Sequence, residues 1–378
     1  MVNKGMTTMA IKQINLKKVY TAIYHEKETS KLQLVQSLQM GLSTVSQNLK
    51  ELEEQGLILK TGYLESTGGR RAHLITINKQ AKTSVGLGIL KDCIHLVHVN
   101  LYGEVIHRQT FLIPYKDEKS YYQAVGELTQ QFIEKHQMNK ENLLGVSIAI
   151  QGIISSDGES VSYGPILHND QMKRSTLANF IPYPCRLAHD SKAAAYLELW
   201  HHQTLDSAIL LLLNENLGGA IMTNRHVHNG LQMRSGIIEH LSLDKNGPLC
   251  YCGSRGCLET YCSMHALIEQ TQMEIPYFFE KLRQNDPTCQ SIWKNYLTHL
   301  AEAIRNITVV IDGVIIISGH LAPYFTQEDI TFILNQLSQI APFPLTHEQI
   351  ILGIEGEYTS AIGAALYNIT DFLNTTMI

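Results

Sequence analysis

The sequence predicts an α/β protein, a winged helix-turn-helix module followed by a body of two α/β lobes. Three observations predict it. Within residues 1–80, apolar residues recur at three- and four-residue steps on either side of a short glycine turn. Beyond residue 80, short apolar strands alternate with helix-period segments in two successions, which implies two lobes with a cleft between them. Charge is divided the same way: residues 1–80 carry eleven Lys and Arg against six Asp and Glu, and the rest carries 19 against 29 within a net charge of −5. A basic module on an acidic body points to an anionic partner for the module alone.

The bulk numbers set the limits. At 378 residues the chain is long enough for two or three domains, and 44% hydrophobic with 17% charged residues is an ordinary globular composition. The longest apolar runs, at Ile209–Leu213 and Val309–Ile317, are strand-sized rather than membrane-sized. The N-terminus lacks a signal-peptide succession, and seven cysteines is an odd number, so a cytoplasmic protein with reduced thiols is expected.

In the basic module, Leu16, Val19, Tyr20, Ile23 and Tyr24 mark one face of a helix over Asn15–Glu28. Ser30 is placed to cap a second helix ending at Leu38, and Ser43 a third over Thr44–Gln55. Val45, Leu49 and Leu52 of the third helix point inward, leaving Ser43, Thr44, Ser46, Gln47, Asn48 and Lys50 as a polar face. Small hydrogen-bonding side chains at a helix start suit entry into the DNA major groove. Strands Leu57–Thr61 and Ala72–Ile77 flank a Gly68-Gly69-Arg70-Arg71 wing, whose arginines match phosphates or a narrow minor groove. An ordinary three-helix bundle with solvated charges is the bland alternative.

The body reads as strands Ser84–Leu90, Ile94–Asn100 and Glu104–Phe111, helix Tyr121–His136, strand Leu144–Ile150 and an Ala-rich helix Asp190–Trp200. Ile209–Leu213 and Gly219–Thr223 form a further strand pair. A helix around Ala301–Asn306 precedes strand Val314–Ser318.

His240, Cys250, Cys252 and Cys257 fall within eighteen residues, with Gly247-Pro248 and Gly253 supplying turns. Three thiolates and an imidazole at this spacing suit a tetrahedral structural Zn²⁺ with no open position. A Cys250–Cys257 disulfide would leave Cys252 and His240 without a role.

The winged module, the Ser-Thr-Gly-Gly-Arg-Arg wing, the Asp190-Ser-Lys-Ala-Ala-Ala helix start and above all His240-x9-Cys250-x-Cys252-Gly-x2-Gly-Cys257-x-Glu259 resemble the ROK family (repressor, open reading frame, kinase) over essentially the whole chain. The resemblance implies an actin- and hexokinase-like (ribonuclease H-like) body. Residues 1–80 would be the DNA-binding domain, 81–190 the first lobe completed by a C-terminal helix at about 358–378, and 191–357 the second lobe with the zinc knot. It also implies a homodimer or dimer of dimers on a palindromic double-stranded DNA operator, tuned by a sugar or sugar phosphate.

The family's kinases carry two glycine-rich phosphate loops. Here Gly88 replaces the aspartate of the first and Leu90 its first glycine, while the second reads Glu215-Asn216-Leu217-Gly218. A glutamate facing phosphate is hostile to ATP, so neither kinase activity nor bound ATP or Mg²⁺ is expected. Asp190 matches the kinase base and is expected to be inactive. Asp190, His240, Glu259 and Lys192 are the candidate effector ligands, with Lys192 paired either to Asp190 or to an acidic effector. Ile166 and Ile237 stand where the family has a sugar-binding asparagine and glutamate. The expected function is a transcriptional repressor of carbohydrate-related genes. The competing readings are a sugar kinase with an added DNA module and a ligand-blind regulator controlled by a protein partner.

Overall fold

The computed structural model describes residues 8–63 and 73–377. The N-terminal module comprises α1 (Thr8–Glu26), β1 (Glu28–Thr29), α2 (Lys31–Leu38), α3 (Leu42–Glu54), β2 (Ile58–Tyr63) and β3 (His73–Ile77), with the strands antiparallel in the order β1-β3-β2. The buried stripe of α1 is the expected one, Leu16, Val19, Tyr20 and Ile23, although the helix starts at Thr8 rather than Asn15. Ser30 caps α2 by accepting from the Gln33 amide at 3.4 Å. Ser43 does not cap α3. The cap is Gly41, whose extended backbone turns into the helix two residues earlier, and Ser43 lies in the first turn. The wing segment with Arg70 and Arg71 lies outside the described residues.

The body opens with β4 (Thr83–Ile89), β5 (Ile94–Val99), β6 (Val105–Phe111), α4 (Lys119–Lys135) and β7 (Leu143–Ile150). A short hairpin, β8 (Ile153–Ile154) and β9 (Val161–Tyr163), then α5 (Arg174–Ala178), leads to β10 (Cys185–His189) and α6 (Asp190–His201). The first sheet has the order β10-β7-β4-β5-β6, with β4, β5 and β6 an antiparallel meander and β7 and β10 parallel to β4.

The second sheet contains β11 (Ala208–Leu213), β12 (Leu217–Thr223) and β13 (His226–Val227), then, after helices α7 (Glu259–Cys262), α8 (Met264–Thr271), α9 (Ile275–Arg283) and α10 (Pro287–Thr308), β14 (Val314–Ser318). It is completed past α11 (Gln327–Ile340) by β15 (Ile350–Leu352), in the order β13-β12-β11-β14-β15. The chain then returns through α12 (Thr359–Met377) to pack on β4, β5, β7 and α6.

Helices α6 and α12 join the two sheets. Ala193 and Leu197 of α6 face α12 and the first sheet, whereas Ala194, Ala195 and Leu199 pack on β11, β12 and β14. The small side chains of the alanine run let α6 be packed on several sides at once. Glycine makes the close packing possible. A Cβ placed on Gly86 of β4 would lie 1.9 Å from the Ala361 carbonyl oxygen, and one on Gly363 of α12 would lie 1.7 Å from that of Ala193.

Glu198 of α6 is fully buried, and its Oε1 accepts from Ser318 Oγ at 3.2 Å. Burial pushes its carboxyl up to about 7. The folded protein therefore keeps this proton after the unfolded chain has lost it, and stability falls as pH rises from about 4.5 to 7. Glu198→Gln is expected to flatten that slope and to raise stability at pH 8 by about 2 kcal/mol. Urea melts of both proteins at pH 5 and pH 8 measure it.

The N-terminal module is not hung on a loose linker. Its core residues Leu16, Val19, Tyr20, Ile23, Leu34 and Leu49 form one cluster with Val97, Val99 and Leu101 of the body and with Ile362, Leu366 and Ile369 of α12. Tyr24 stacks on Tyr102 at 4.7 Å, and each hydroxyl donates to a carbonyl across the junction: Tyr24 to Leu101 at 2.9 Å, Tyr102 to Tyr24 at 3.2 Å.

Candidate functional site

Four residues predicted to bind metal converge. One ligand atom each from His240, Cys250, Cys252 and Cys257 lies within 4.8 Å of the others. Cys250 Sγ is 3.7 Å from His240 Nδ1, and Cys252 Sγ is 3.8 Å from Cys257 Sγ. An ion with thiolate bonds of about 2.3 Å and an imidazole bond of about 2.0 Å imposes tetrahedral edges of roughly these lengths. All four residues fit a metal ion as ligands, and the cysteines are unbridged.

Backbone pairing holds the loop in place. Leu249 bridges to Arg255 and Ser242 to Cys257, the Cys250 amide donates to Ser254 O at 2.8 Å, and Leu258 N to Leu241 O at 2.8 Å. Gly256 is obligatory: its φ is +64°, and a Cβ there would meet the Asp244 carbonyl oxygen. His240 sits at the end of a 3₁₀ turn, Ile238–His240, with Tyr251 edge-on to its ring at 5.1 Å.

Beside the metal loop opens a cleft of about 810 Å³, lined among others by Lys91, Ile166, Glu215, Tyr251, Glu259 and His299. Residues after β4 and between β11 and β12 meet across it, Lys91 Nζ lying 3.5 Å from Glu215 Oε1. Glu259 is already engaged: Oε1 accepts from Asn216 Nδ2 at 2.8 Å and Oε2 from the Leu217 amide at 2.7 Å. The segment at Asn216 and Leu217 thus folds back onto a carboxylate of the protein itself. Leu90 and Gly88 fall at the end of β4, where the added Cβ of Gly88 would touch Ala361 of α12 at 3.4 Å.

Asp190 begins α6, where its Oδ1 accepts from the Ser191 amide at 2.7 Å and stands 3.5 Å from His189 Nε2. Desolvation drives these two in opposite directions, Asp190 up to about 6 and His189 down to about 3, with Lys192 adding to the fall of the histidine. Histidine is therefore neutral near pH 7, and the pair is a contact of a carboxylate with an uncharged ring. Lys192 is not paired with Asp190. Its Nζ donates to the Met233 carbonyl at 2.7 Å, and burial lowers it to about 8.

One carboxyl group here was not among the expected ligands. Glu239 is buried beside the metal ligand His240, and burial, reinforced by the charges of Asp190 and Glu259, pushes it up to about 8. The sequence signal was present in the motif: position 237 is isoleucine, and a glutamate follows two residues later.

On α3, Ser43, Gln47 and Lys50 are exposed and Thr44 and Ser46 half-buried, on one side of the helix. Asn48 is the exception. It is buried, and its amide donates to the Thr44 carbonyl at 2.9 Å. Spacing explains this: 45, 48, 49 and 52 form the i, i+3, i+4, i+7 stripe that faces the core, so Asn48 cannot read a base from this position.

Comparison with known proteins agrees with this architecture. The chain is 26% identical over 264 residues to the xylose repressor of Bacillus subtilis, 69% of each chain being covered. A ROK family transcriptional regulator described as a homolog of the Escherichia coli MLC protein superposes with a TM-score of 0.74 over 97% of this chain and 99% of its own, at 20% identity. A ROK family glucokinase from Streptomyces griseus, in complex with glucose and AMPPNP, gives 0.66 over 75% of this chain and 98% of its own, at 19% identity. The ROK family model matches residues 84–370, which is most of the body, and the chain belongs to the ROK family.

Proposed function

We propose that this transcriptional repressor holds a double-stranded DNA operator with residues 1–80, read as a winged helix-turn-helix, and releases it when a sugar enters the cleft between lobes 81–190 and 191–357. The observation that carries the proposal is the pairing of an exposed polar face on α3 with a cleft whose phosphate loops are closed by Lys91–Glu215 and by Glu259. Support comes from the name of a relative, a xylose repressor. Family kinases share the body fold, but the charge of Glu215 where phosphates would lie opposes ATP, so the chain is read as a non-enzyme. Zn²⁺ is the ion that suits three thiolates and an imidazole, and its role is structural.

Ser43, Thr44, Ser46, Gln47 and Lys50 are the DNA-facing residues of α3, with Arg70 and Arg71 on the wing. Gln47→Ala is expected to cost about 1–3 kcal/mol of operator affinity and to relax specificity at one base pair. Arg70→Ala/Arg71→Ala is expected to weaken all sequences and to reduce the salt slope of binding by about 2. Fluorescence anisotropy against salt, with operator and scrambled duplexes, separates the two effects. The operator itself comes from selecting bound genomic fragments with and without sugars; a selection that enriches no sequence would defeat the reading.

The route from cleft to DNA runs along α6. Asp190 opens the helix; near its end Trp200 Nε1 donates to the Tyr102 carbonyl at 3.0 Å, and Tyr102 in turn stacks on and bonds to Tyr24 of α1. A small shift of α6 on effector binding would move the module and change the spacing of two modules in a homodimer or dimer of dimers on a palindrome. Trp200→Phe is expected to leave sugar and operator binding each within about threefold while reducing the coupling between them by several-fold. Operator titrations with and without saturating sugar measure this.

A further inference from the structure

We propose that the cleft takes a saccharide of at least two rings, the outer ring packing on Tyr261 and His299, so that the effector is a neutral disaccharide or longer glycoside and not a single sugar. The inference rests on the cleft being the effector site. Volume is the first indication. At about 810 Å³ the cleft lies near the upper end of the range of about 300–1,000 Å³ spanned by ligand sites, and one sugar ring would leave most of it to water.

The chemistry of the lining is the second. Helix α7 carries Glu259 and, two residues on, Tyr261, and both line the cleft, so it runs from a carboxylate directly to an aromatic platform. The rings of Tyr261 and His299 are 4.4 Å apart, tilted by 32°, and both residues are half-buried. His299 comes from α10, where Asn295, one turn earlier and exposed, lines the same cleft; α8 adds Gln270. An aromatic surface flanked by amides suits a sugar ring, whose C–H face packs on the aromatic while its hydroxyls bond the amides. The platform is also fixed in place. The Tyr296 hydroxyl donates to the Cys262 carbonyl at 2.7 Å and ties α10 to α7, and the Met264 and His265 amides donate to the Asn214 and Glu215 carbonyls at 2.9 and 3.0 Å and tie α8 to the turn between β11 and β12. Charge excludes an anionic ligand: among the described lining residues Lys91 is the sole Lys or Arg, already against Glu215, while Glu259 and Glu269 are acidic. A phosphate ester or a uronic acid would meet carboxylates instead of a cation.

The test uses the full-length protein and calorimetric titration with xylose, glucose and N-acetylglucosamine, each beside the disaccharides built from it, with metal content and melting temperature measured for each variant. Wild type is expected to bind at least one disaccharide about tenfold or more tightly than its monosaccharide. His299→Ala is expected to bring that ratio down to about twofold, whereas His299→Phe, which keeps an aromatic face, is expected to retain it. Asn295→Ala, at an exposed position and so a guard against a folding defect, is expected to lower the ratio about threefold. A merely structural role for these residues would weaken both ligands alike and leave the ratio unmoved. Disaccharides bound no more tightly than their monosaccharides, or a ratio unchanged in both alanine variants, overturn the proposal while leaving the sugar-responsive reading intact. Failure of every saccharide to bind wild type overturns the sugar-responsive reading and this proposal with it.

Discussion

Cys257→Ser is expected to abolish metal binding and to lower the melting temperature by about 10 °C. Cys257 is completely buried, and its sulfur forms one edge of the tetrahedron with Cys252 at 3.8 Å. Structural zinc contributes to folding free energy directly, by roughly 10 kcal/mol or more in small zinc domains. Here a large core shares the burden, with Leu258, Cys262 and Leu267 packed behind the loop, so a net loss of about 3 kcal/mol is the expected scale. At about 2–4 °C per kcal/mol for lobes of this size, that gives the stated shift. Because the N-terminal module, proposed to hold DNA, draws its core from α1, α3 and α12 instead, operator binding without sugar is expected to survive while the response to sugar is lost. Metal analysis, calorimetry and operator titration together check it. Unchanged melting after complete removal of the ion would show that the loop does not depend on metal.

Gly363→Ala is expected to be among the most damaging single methyl additions in the body. The new Cβ would stand 1.7 Å from the Ala193 carbonyl oxygen, inside the α6–α12 contact, where both neighbours are backbone and cannot rotate away. Relief requires the two helices to separate over the whole seam of Ala193, Ala361 and Ala364, which strips packing on both sides. A cost of about 4 kcal/mol or more follows, enough to leave much of the protein unfolded at 37 °C. Gly253→Ala is the contrast: unlike helical Gly363 it has positive φ, +86°, but nothing lies within 4 Å of its Cβ, and a loss of about 1 kcal/mol is expected. Parallel urea melts compare the two, and a Gly363→Ala protein as stable as Gly253→Ala would show that the helices can part cheaply.

Local patterns made much of this legible in advance. The 3.6-residue spacing of Leu16, Val19, Tyr20 and Ile23, the Ser30 cap and the alanine run after Asp190 each specify an element from a few neighbouring residues, and each element is present. The His240, Cys250, Cys252 and Cys257 cluster, which could hold a metal, was legible for the same reason, since one short loop carries three of them and the fourth lies ten residues away. The Thr326–Asp329 capping box of α11 was an equally local signal that went unread. Several body elements, such as the β8–β9 hairpin and β15, are two or three residues long, too short to show a period.

By itself, then, the sequence determined the α/β class, the uneven division of charge between residues 1–80 and the rest, and the four residues that converge as a cluster able to hold a metal, all properties of residues close together in the chain. Tertiary structure alone decided which polar groups are still available. Asn48 turned out to face the core, Lys192 to be bound by Met233 O, Glu259 to be occupied by Asn216 and Leu217, and Glu239 to keep an unpaired oxygen. A side chain's residue type fixes what it can bond, but the partners that claim Lys192 and Glu259 come from segments about forty residues away, and only packing brings them together.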